Sequence, residues 1–322
     1  MTFIDLFSGI GGFRLGMEQA GHICLGHCEI DKFANKSYIA MHKPKESEWY
    51  ADDITRVRAE DVPKADCWCF GFPCQDISVA GKQQGFRGRR SSLFFTVTSL
   101  IRGQKEENKP AYLFIENVKN LLSINRGIDF ARLLMELDEI GYDAEWAVIN
   151  SADVIPQNRE RVFIIGRLRG RSTRKVFPVK RTNGENFTPN RLKLFSLING
   201  ENKVQSRIYH AEGICPALNT GTGGNLEPKI ATLYNSDRSG NVRCLDANYF
   251  KGLGSKQRTG VYDRYKIRKL TPKECFKLQG FPDEYFDRAQ EVNSDSQLYK
   301  QAGNSVTVPV IYELARRMEI LE

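Results

Sequence analysis

Asp5-Leu6-Phe7-Ser8-Gly9-Ile10-Gly11-Gly12 starts as an apolar run and ends in a cluster of glycines. Residues 2–7 have the length and composition of a short strand, and residues 14–19 those of a helix. The glycines between them predict a tight turn at which a ligand can approach the backbone closely. A strand, a glycine turn and a helix in this order are typical of the first unit of a parallel α/β sheet.

The alternation of strand-like and helix-like segments continues to residue 168. Strands are expected at residues 23–28, 67–70, 112–115, 144–149 and 161–168, and helices at residues 31–41, 91–101 and 128–140. This alternation with short loops favours a doubly wound, mostly parallel, Rossmann-like sheet. The pattern leaves open whether the last strands pair antiparallel.

The positive charge of the chain is concentrated in one internal segment. The net charge is +8, and residues 167–267 contain 19 Lys and Arg against 7 Asp and Glu, whereas the remainder contains 28 and 32. Residues 169–267 also lose the long helical patterns, which indicates a small, irregular, β-rich domain. A concentrated basic lobe is typical of a protein that binds a polyanion, although a solvated basic surface without a partner is the alternative.

A regular pattern returns near residue 268, so the chain is divided into residues 1–168, 169–267 and 268–322, with the last part packing back on the first. Thr271, Pro272 and Glu274 predict a helix start with a capping box. Residues 303–319 are expected to form one final helix.

Composition excludes several classes of protein. Hydrophobic residues make up 41% of the chain, which is enough for a substantial core, and no apolar run approaches the roughly 18 residues that span a bilayer. The first residues do not resemble a signal peptide. The eight cysteines are irregularly spaced, which favours a reducing cytoplasm. Zinc ligation is conceivable for four of them, but core thiols fit the spacing better and no metal site is expected: Cys24, Cys28, Cys67 and Cys69.

Cys74 lies in Gly71-Phe72-Pro73-Cys74-Gln75, directly after the strand predicted at residues 67–70. This places a thiol on a tight loop at the carboxyl end of a strand, where ligands and chemistry collect in open α/β sheets. A nucleophile must be held away from the backbone at a fixed angle, and the proline and glycine around Cys74 suit that role.

The glycine turn indicates a cofactor without a diphosphate. The dinucleotide fingerprint G-x-G-x-x-G fails because Arg14 occupies its last position. Glu29 follows the second strand, where a carboxylate can accept hydrogen bonds from ribose hydroxyls, and Asp53 can reach an adenine amino group. The combination favours S-adenosylmethionine. An ordinary tight turn is the alternative.

An acid and two arginines follow later strands. Glu116 comes after the strand at residues 112–115, near the Cys74 loop in a parallel sheet, and can share a site with that thiol as a proton donor. Strand alternation predicts that Arg159 and Arg161 lie on one face, where two guanidinium groups can hold an oxygen atom and activate a thiol. A capping glutamate and surface salt bridges are the alternatives.

In this order, these motifs resemble the cytosine-5 DNA methyltransferases of bacterial and phage type over nearly the whole chain. The motifs are the segment 5–12, Asp53-Ile54, Pro73-Cys74-Gln75, Glu116-Asn117-Val118, Gln157-Asn158-Arg159-Glu160-Arg161, the segment 268–275, and Gln301-Ala302-Gly303-Asn304-Ser305-Val306. Pro-Cys-Gln, Glu-Asn-Val and Gln-x-Arg-x-Arg are highly specific when they occur together.

The resemblance implies a role for each matching residue. Cys74 would add to carbon 6 of cytosine, Glu116 would bind the base edge and supply a proton, Arg161 would lie near the flipped base, and Arg159 would support the site. S-adenosylmethionine would be held by Phe7, Gly9, Ile10, Gly11, Gly12, Glu29, Ile30, Asp53, Ile54, Pro73, Leu93, Asn304 and Ser305. A loop at residues 81–90 would close over the site, residues 169–267 would recognise the target, and DNA would be contacted by Gln75, Ser78, Lys82, Arg90, Arg207, Leu218 and Thr220.

The expected partner is double-stranded DNA, bound by a monomer of a restriction–modification or phage system. A cognate restriction endonuclease is expected only as a second component of the system, without direct binding. An RNA methyltransferase with the same catalytic residues and a DNA-binding protein with a silent pocket are the alternatives. The basic lobe favours DNA over RNA, and intact Cys74 and Glu116 argue against a silent pocket. Arg14 disfavours a nicotinamide oxidoreductase.

Overall fold

The computed structural model describes residues 1–72, 93–178 and 270–321 in full. Between residues 179 and 269 it describes the backbone of five short strands. The predicted cysteine loop and the loop at residues 81–90 lie outside the described residues.

The central sheet has seven strands. Its strands, together with the short β7, are β1 (Thr2–Leu6), β2 (Ile23–Cys28), β3 (Trp49–Ala51), β4 (Cys67–Phe70), β5 (Tyr112–Val118), β6 (Tyr142–Asn150), β7 (Gln157–Asn158) and β8 (Glu160–Leu168). Their order is β3-β2-β1-β4-β5-β8-β6, and the first five are parallel. β8 is inserted antiparallel between β5 and β6, which settles the pairing that the sequence left open. The mostly parallel α/β sheet is confirmed.

Eight α-helices of the described residues surround or extend this sheet: α1 (Gly12–Gln19), α2 (Lys32–His42), α3 (Leu93–Arg102), α4 (Ile128–Glu139), α5 (Pro272–Lys277), α6 (Asp283–Gln290), α7 (Asp295–Asn304) and α8 (Val308–Ala315). The capping box at Thr271 and Glu274 is confirmed. The single final helix predicted for residues 303–319 is wrong, because α7 ends at Asn304 and α8 begins at Val308. Pro309 favours the first turn of a new helix, and Gly303 and Asn304 favour the end of the preceding one.

The core lies on both faces of the sheet. One face packs against α3 and α4 through residues such as Trp68, Ile115 and Leu133. The other face packs against α1 and α8 through Phe114 and Ile311, among others. Four thiols lie in this core, as predicted: Cys24, Cys28, Cys67 and Cys69. Burial raises the pKa of Cys24 and of Cys28 to about 12, so neither is a thiolate at neutral pH.

Strands from the basic segment form a second sheet. These strands are β9 (Leu194–Leu197), β10 (Arg207–His210), β11 (Cys215–Pro216), β12 (Lys229–Leu233) and β13 (Tyr265–Lys269). Four of them form a sheet in the order β13-β12-β10-β9, and β11 pairs instead with β7. Between residues 179 and 269 the described residues all lie in strands, which agrees with the β-rich character that the sequence predicted.

Residues that follow β8 stay against the first sheet. The Arg174 N–H donates to the carbonyl of Glu319 at 3.0 Å, and the Leu321 N–H donates to the carbonyl of Ser172 at 2.8 Å. The Val176 N–H donates to the Glu145 carboxylate at 2.7 Å. The domain boundaries at residues 168 and 267 stay predictions, and these contacts favour a first boundary beyond residue 176.

Among the helices that the structure describes, none combines the length and the apolar character needed to span a membrane.

Leu133 and Met135 allow a matched test of the α4 packing. Leu133 is fully buried, whereas Met135 on the same helix is 62% exposed. We expect Leu133→Ala to lower the free energy of unfolding by about 2–5 kcal/mol, because it removes apolar contacts and leaves a cavity. Met135→Ala should change it by less than about 0.5 kcal/mol. Urea denaturation of both variants measures the difference, and equal losses would contradict the described packing.

Candidate functional site

The predicted site residues gather at one edge of the central sheet. β1, β2, β4 and β5 are parallel, so their carboxyl ends lie at the same edge. The glycine turn follows β1, Glu29 follows β2, and Gly71 and Phe72 follow β4. Glu116 lies near the end of β5. The structure therefore brings the cofactor turn, the start of the cysteine loop and the acidic residue to one side of the molecule.

The turn after β1 depends on left-handed backbone. Phe7, Gly9 and Gly11 have φ values of 54°, 55° and 78°. The Gly11 N–H donates to the carbonyl of Ser8 at 2.8 Å, and the Ser8 N–H donates to the carbonyl of Cys28 at 3.1 Å, which ties the turn to β2. Apart from Gly9 itself and its two chain neighbours, no atom of the described residues lies within 4 Å of the place where a Cβ on Gly9 would stand. The turn is thus open at Gly9, where a ligand can approach.

The other two glycines of the turn face protein instead. A Cβ on Gly12 would stand 2.8 Å from Ser305 Oγ, so α1 and the segment after α7 meet without a side chain between them. A Cβ on Gly11 would collide with His42. Ile10, which was also predicted to hold the cofactor, is only 1% exposed and packs in the core with Leu15. Of these residues, Gly9 offers the most direct access to a ligand.

Glu29 joins the glycine turn to α2. Its Oε2 accepts the Gly9 N–H at 2.7 Å, and its Oε1 accepts the Asp31 N–H at 2.7 Å. Burial raises the pKa of Glu29, and the two backbone hydrogen bonds only partly offset that effect. Each carboxylate oxygen keeps a further lone pair, so Glu29 can still accept ribose hydroxyl groups.

Asp53 lies one strand further along the edge. Its Oδ1 accepts the Thr55 N–H at 2.9 Å and the Thr55 hydroxyl at 2.7 Å. The hydrogen bond from the Thr55 side chain holds the pKa of Asp53 below its usual value, so the carboxylate is ionised at neutral pH. Ile54 beside it is buried, whereas Ile30 is 72% exposed. An exposed apolar side chain next to Glu29 offers a surface against which an aromatic base can pack.

Glu116 and Arg161 form an ion pair at the end of β5. Arg161 Nε lies 3.0 Å from Glu116 Oε1, with the two side chains 20% and 12% exposed. Arg161 also donates to the carbonyl of Glu160 at 2.8 Å. The pair is partly shielded from water, which strengthens the attraction relative to a surface pair.

Two contacts join this ion pair to the segment that leads into the cysteine loop. A Cβ on Gly71 would stand 3.2 Å from Glu116 Oε2, so the glycine allows the carboxylate to approach the backbone. The Asn117 side-chain amide donates to the carbonyl of Phe72 at 3.2 Å, and Asn117 is buried. The backbone is therefore fixed two residues before Cys74.

Among the described residues, Arg159 and Arg161 contact different groups. The Arg159 guanidinium donates to the carbonyls of Gly303 and Ser305, while Arg161 contacts Glu116. That Arg159 and Arg161 lie on one face stays a prediction, because different acceptors do not place two side chains on different faces. The Ser151 N–H donates to the Arg159 carbonyl at 2.9 Å, which continues the pairing of β6 with this segment beyond Glu160. Arg159 thus contacts the backbone on both sides of the predicted cofactor residue Asn304.

Several of the predicted site residues lie outside the described part of the chain. These residues are Pro73, Cys74, Gln75, Ser78, Lys82, Arg90, Leu218 and Thr220. Arg207 begins β10, which is described by its backbone alone. Leu93 is the first residue of α3 and is half-buried against the core.

Two residues that contact the site, Lys300 and Asn117, were assigned no role from the sequence. Lys300 donates to Asp31 Oδ2 at 2.6 Å, beside Glu29, and thereby joins α7 to the start of α2. No local pattern reveals this contact, because the two residues are 269 positions apart. Asn117 lies inside the Glu-Asn-Val motif, and this position indicated a role at the site. Its hydrogen bond to Phe72 depends on tertiary structure and could not be predicted.

Comparison with known sequences gives a full-length match. A family model described as C-5 cytosine-specific DNA methylase matches residues 1–319. Type II methyltransferase M.Bsp6I of Bacillus sp. (strain RFL6) is 36% identical over 326 residues, which cover 99% of this chain and 98% of that protein. Type II methyltransferase M.HhaI of Haemophilus parahaemolyticus is 34% identical, with 98% and 93% covered.

Solved structures share the fold. A methyltransferase of Entamoeba histolytica, EhMeth, superposes with a TM-score of 0.67 at 20% identity, covering 98% of this chain and 96% of that one. The Dnmt2 methyltransferase of S. pombe gives a TM-score of 0.67 at 19% identity, with 98% and 97% covered. At these identities the likeness concerns the fold alone.

The raised pKa of Glu29 predicts a pH-dependent contribution to stability. A folded-state pKa above the ordinary value of 4.5 means that folding favours the protonated carboxyl. The stability from this group is therefore complete below about pH 4.5 and is lost as the pH rises through the folded-state pKa. We expect Glu29→Gln to make the free energy of unfolding fall less steeply from pH 4.5 towards neutrality, as measured by urea denaturation without ligand.

The exposed Glu46 provides the control for this measurement. Glu46→Gln should keep the slope of the unmodified protein. A slope unchanged by Glu29→Gln would show that burial of this carboxyl does not govern the pH dependence.

Proposed function

The chain belongs to the C-5 cytosine-specific DNA methylase family, and from that premise we propose which residues carry out the reaction. The family transfers a methyl group from S-adenosylmethionine to carbon 5 of cytosine. Cys74 is the proposed nucleophile, and Glu116 and Arg161 are the proposed base-binding residues. The residues that line the turn after β1, the end of β2 and the end of α7 are proposed to hold the cofactor.

The ion pair of Glu116 and Arg161 carries this assignment. It lies at the carboxyl end of β5, with Glu116 Oε2 against Gly71 and with Asn117 bound to Phe72. The strand that bears the acid therefore also holds the backbone that enters the cysteine loop. Nucleophile and acid need this kind of fixed relation, because their effect depends on the angle and distance at which they meet one base.

The proposed chemistry explains the residue types. Carbon 5 of cytosine is a poor nucleophile within an aromatic ring. Addition of the Cys74 thiolate to carbon 6, with a proton from Glu116 at ring nitrogen 3, converts carbon 5 into an enamine-like nucleophile. Once carbon 5 has gained a methyl group, its proton passes to water, the Cys74 thiolate leaves carbon 6, and the proton on ring nitrogen 3 returns to Glu116, which restores the neutral aromatic base. A thiolate both adds and leaves readily, which suits it to both steps.

Arg161 is proposed to hold the everted base together with Glu116. In the structure its guanidinium already lies on the carboxylate, so the two groups form a preorganised pair of donor and acceptor. A cytosine must leave the duplex to reach them, at a cost of a few kcal/mol of unstacking.

The residues of the cofactor edge fit S-adenosylmethionine. Gly9 leaves open space beside a left-handed backbone. Glu29 keeps lone pairs that can accept hydrogen bonds from ribose hydroxyls, and the ionised Asp53 can accept a hydrogen bond from an adenine amino group. Exposed Ile30 and Asn304 flank the site. The bound cofactor would supply an electrophilic methyl group on a sulfonium sulfur. The task of these residues is to bind and orient it.

Residues 169–267 are proposed to be the target-recognition domain, between the catalytic parts 1–168 and 268–322. Residues 167–267 contain 19 basic and 7 acidic residues, and this positive charge suits the phosphates of duplex DNA. Arg207 is proposed to read a guanine, and Thr220 to contact a phosphate. Gln75, Ser78, Lys82, Arg90 and Leu218 complete the proposed DNA contacts. A lobe and a core can enclose one asymmetric site, which favours a monomer.

The relatives favour a bacterial setting. M.Bsp6I and M.HhaI are named type II methyltransferases, and we propose that this chain also serves a restriction–modification or phage modification system in the cytoplasm. Protection of DNA requires methylation of the shared sequence only. A cognate endonuclease therefore needs no direct contact with this chain.

Methyl transfer to duplex DNA and to tRNA tests the proposal. We expect tritium from labelled S-adenosylmethionine to enter duplex DNA and not tRNA. Cys74→Ser should lower the rate by at least about a thousandfold, because a hydroxyl is a far weaker nucleophile at neutral pH. Cys24→Ala, which changes a buried core cysteine near the start of β2, serves as the control and should retain the rate.

Labelling of tRNA in preference to DNA would contradict the proposed substrate. Unchanged transfer by Cys74→Ser would contradict the proposed nucleophile.

A further inference from the structure

The carbonyl groups at the end of α7 are held by two side chains from distant parts of the sequence. Both terminal nitrogens of Arg159 lie 3.2 Å from the carbonyl oxygen of Gly303, and Nη2 lies 2.8 Å from that of Ser305. The Gln279 side-chain amide donates to the carbonyl of Ala302 at 2.8 Å. Arg159 and Gln279 are 3% and 0% exposed.

Arg159 is well suited to this position. The last carbonyls of a helix have no partner within the helix, and the helix dipole places partial negative charge there. A guanidinium supplies several donors in a fixed planar fork together with a full positive charge. Arg159 therefore caps α7 from outside the helix, and the hydrogen bonds are charge-assisted and shielded from water.

Gln279 extends the same support past the end of the helix. Its Oε1 accepts the Thr307 hydroxyl at 3.1 Å, and the Thr307 hydroxyl lies 2.8 Å from the hydroxyl of Ser151. The Val308 N–H donates to the Gln279 carbonyl at 2.8 Å. The backbone between α7 and α8 is thus fixed from behind by buried polar groups.

The same backbone carries two of the proposed cofactor-binding residues. Asn304 is exposed, whereas Ser305 is buried and its Oγ would stand 2.8 Å from a Cβ on Gly12. Gly12 follows the open turn at Gly9. A shift of the carbonyls of Gly303 and Ser305 would therefore move Asn304 and Ser305 relative to the turn after β1.

We propose that Arg159 is a positioning residue for S-adenosylmethionine, which acts by holding the backbone of Gly303 and Ser305. This inference rests on the proposed function, because it takes Asn304 and Ser305 as cofactor-binding residues. Arg161, two residues later, pairs with Glu116. The Gln-x-Arg-x-Arg segment thus serves two sites. Its first arginine holds the backbone of Gly303 and Ser305 at the cofactor site, and its second binds near the base.

Equilibrium binding of S-adenosylmethionine to the protein without DNA, by titration calorimetry, tests the proposal. Arg159→Gln should raise the Kd by about 10- to 100-fold, because it removes charge-assisted hydrogen bonds from the carbonyls. Arg159→Lys should give a smaller increase, since an ammonium keeps the charge but lacks the planar fork. Exposed Arg132 on α4, changed to Gln, is the control and should bind as the unmodified protein does.

Steady-state kinetics separate positioning from catalysis. The proposal expects Arg159→Lys and Arg159→Gln to raise the KM for S-adenosylmethionine by the same factor as the Kd, with a much smaller decrease in kcat and no change in the KM for DNA. A decrease in kcat with unchanged cofactor affinity would overturn it, because Arg159 would then act on the base. Urea denaturation of each variant identifies any loss of folding, and Arg159→Lys keeps the test decisive if Arg159→Gln does not fold.

Asn304→Ala distinguishes failure of this proposal from failure of the assigned cofactor site. If Asn304→Ala leaves the Kd unchanged, the assigned site is wrong. If Asn304→Ala weakens binding while both Arg159 variants bind normally, the site stands and the positioning role is wrong.

Discussion

The pairing of β8 with β5 determines where Glu116 and Arg161 meet. The register places Val118 opposite Arg161 and Glu116 opposite Phe163, so Glu116 and Arg161 are diagonal neighbours on one face of an antiparallel pair. Long side chains can bridge that diagonal, and here they form a contact of 3.0 Å. A slip of one residue would move one partner to the other face of the sheet and separate the charges. The base-binding pair therefore depends on a single antiparallel register within a mostly parallel sheet.

The cofactor edge depends on contacts between segments that are far apart in the chain. Glu29 joins the turn after β1 to α2, Lys300 joins α2 to α7, and Arg159 joins the end of α7 to the start of β8. The same short segment, residues 159–161, thus contacts both halves of the site. This arrangement gives a physical reason why a cofactor and a base that approach from different sides can be held in a fixed relation.

Local pattern was sufficient for much of the fold. Strand and helix alternation predicted the sheet, and the Thr271 capping box was visible because its partners are three residues apart. Three-residue β3 was too short to produce a period, and the antiparallel insertion of β8 depends on pairing between distant strands. The predicted final helix was wrong because helical composition on both sides of residues 305–307 concealed a break.

In the site, too, local sequence predicted some features, while others depend on contacts between distant residues. Family motifs named Glu116 and Arg161, and the structure brings them together. The partners of Arg159 could not be predicted from the sequence, because its carbonyl acceptors lie 144 and 146 residues away. The contact between Lys300 and Asp31 could not be predicted for the same reason. Sequence motifs identify reactive residue types, while long-range hydrogen bonds decide which site each residue serves.

Covalent trapping on duplex DNA that contains 5-fluorocytosine at the target position tests the central claim most directly, because fluorine at carbon 5 blocks release of the thiolate. With S-adenosylmethionine present, peptide mapping should recover the oligonucleotide bound to the sulfur of Cys74, and Glu116→Gln should form this adduct more slowly while it still binds the DNA. An adduct on another cysteine, or no adduct while unmodified DNA is methylated, would contradict the claim that Cys74 works together with Glu116 and Arg161.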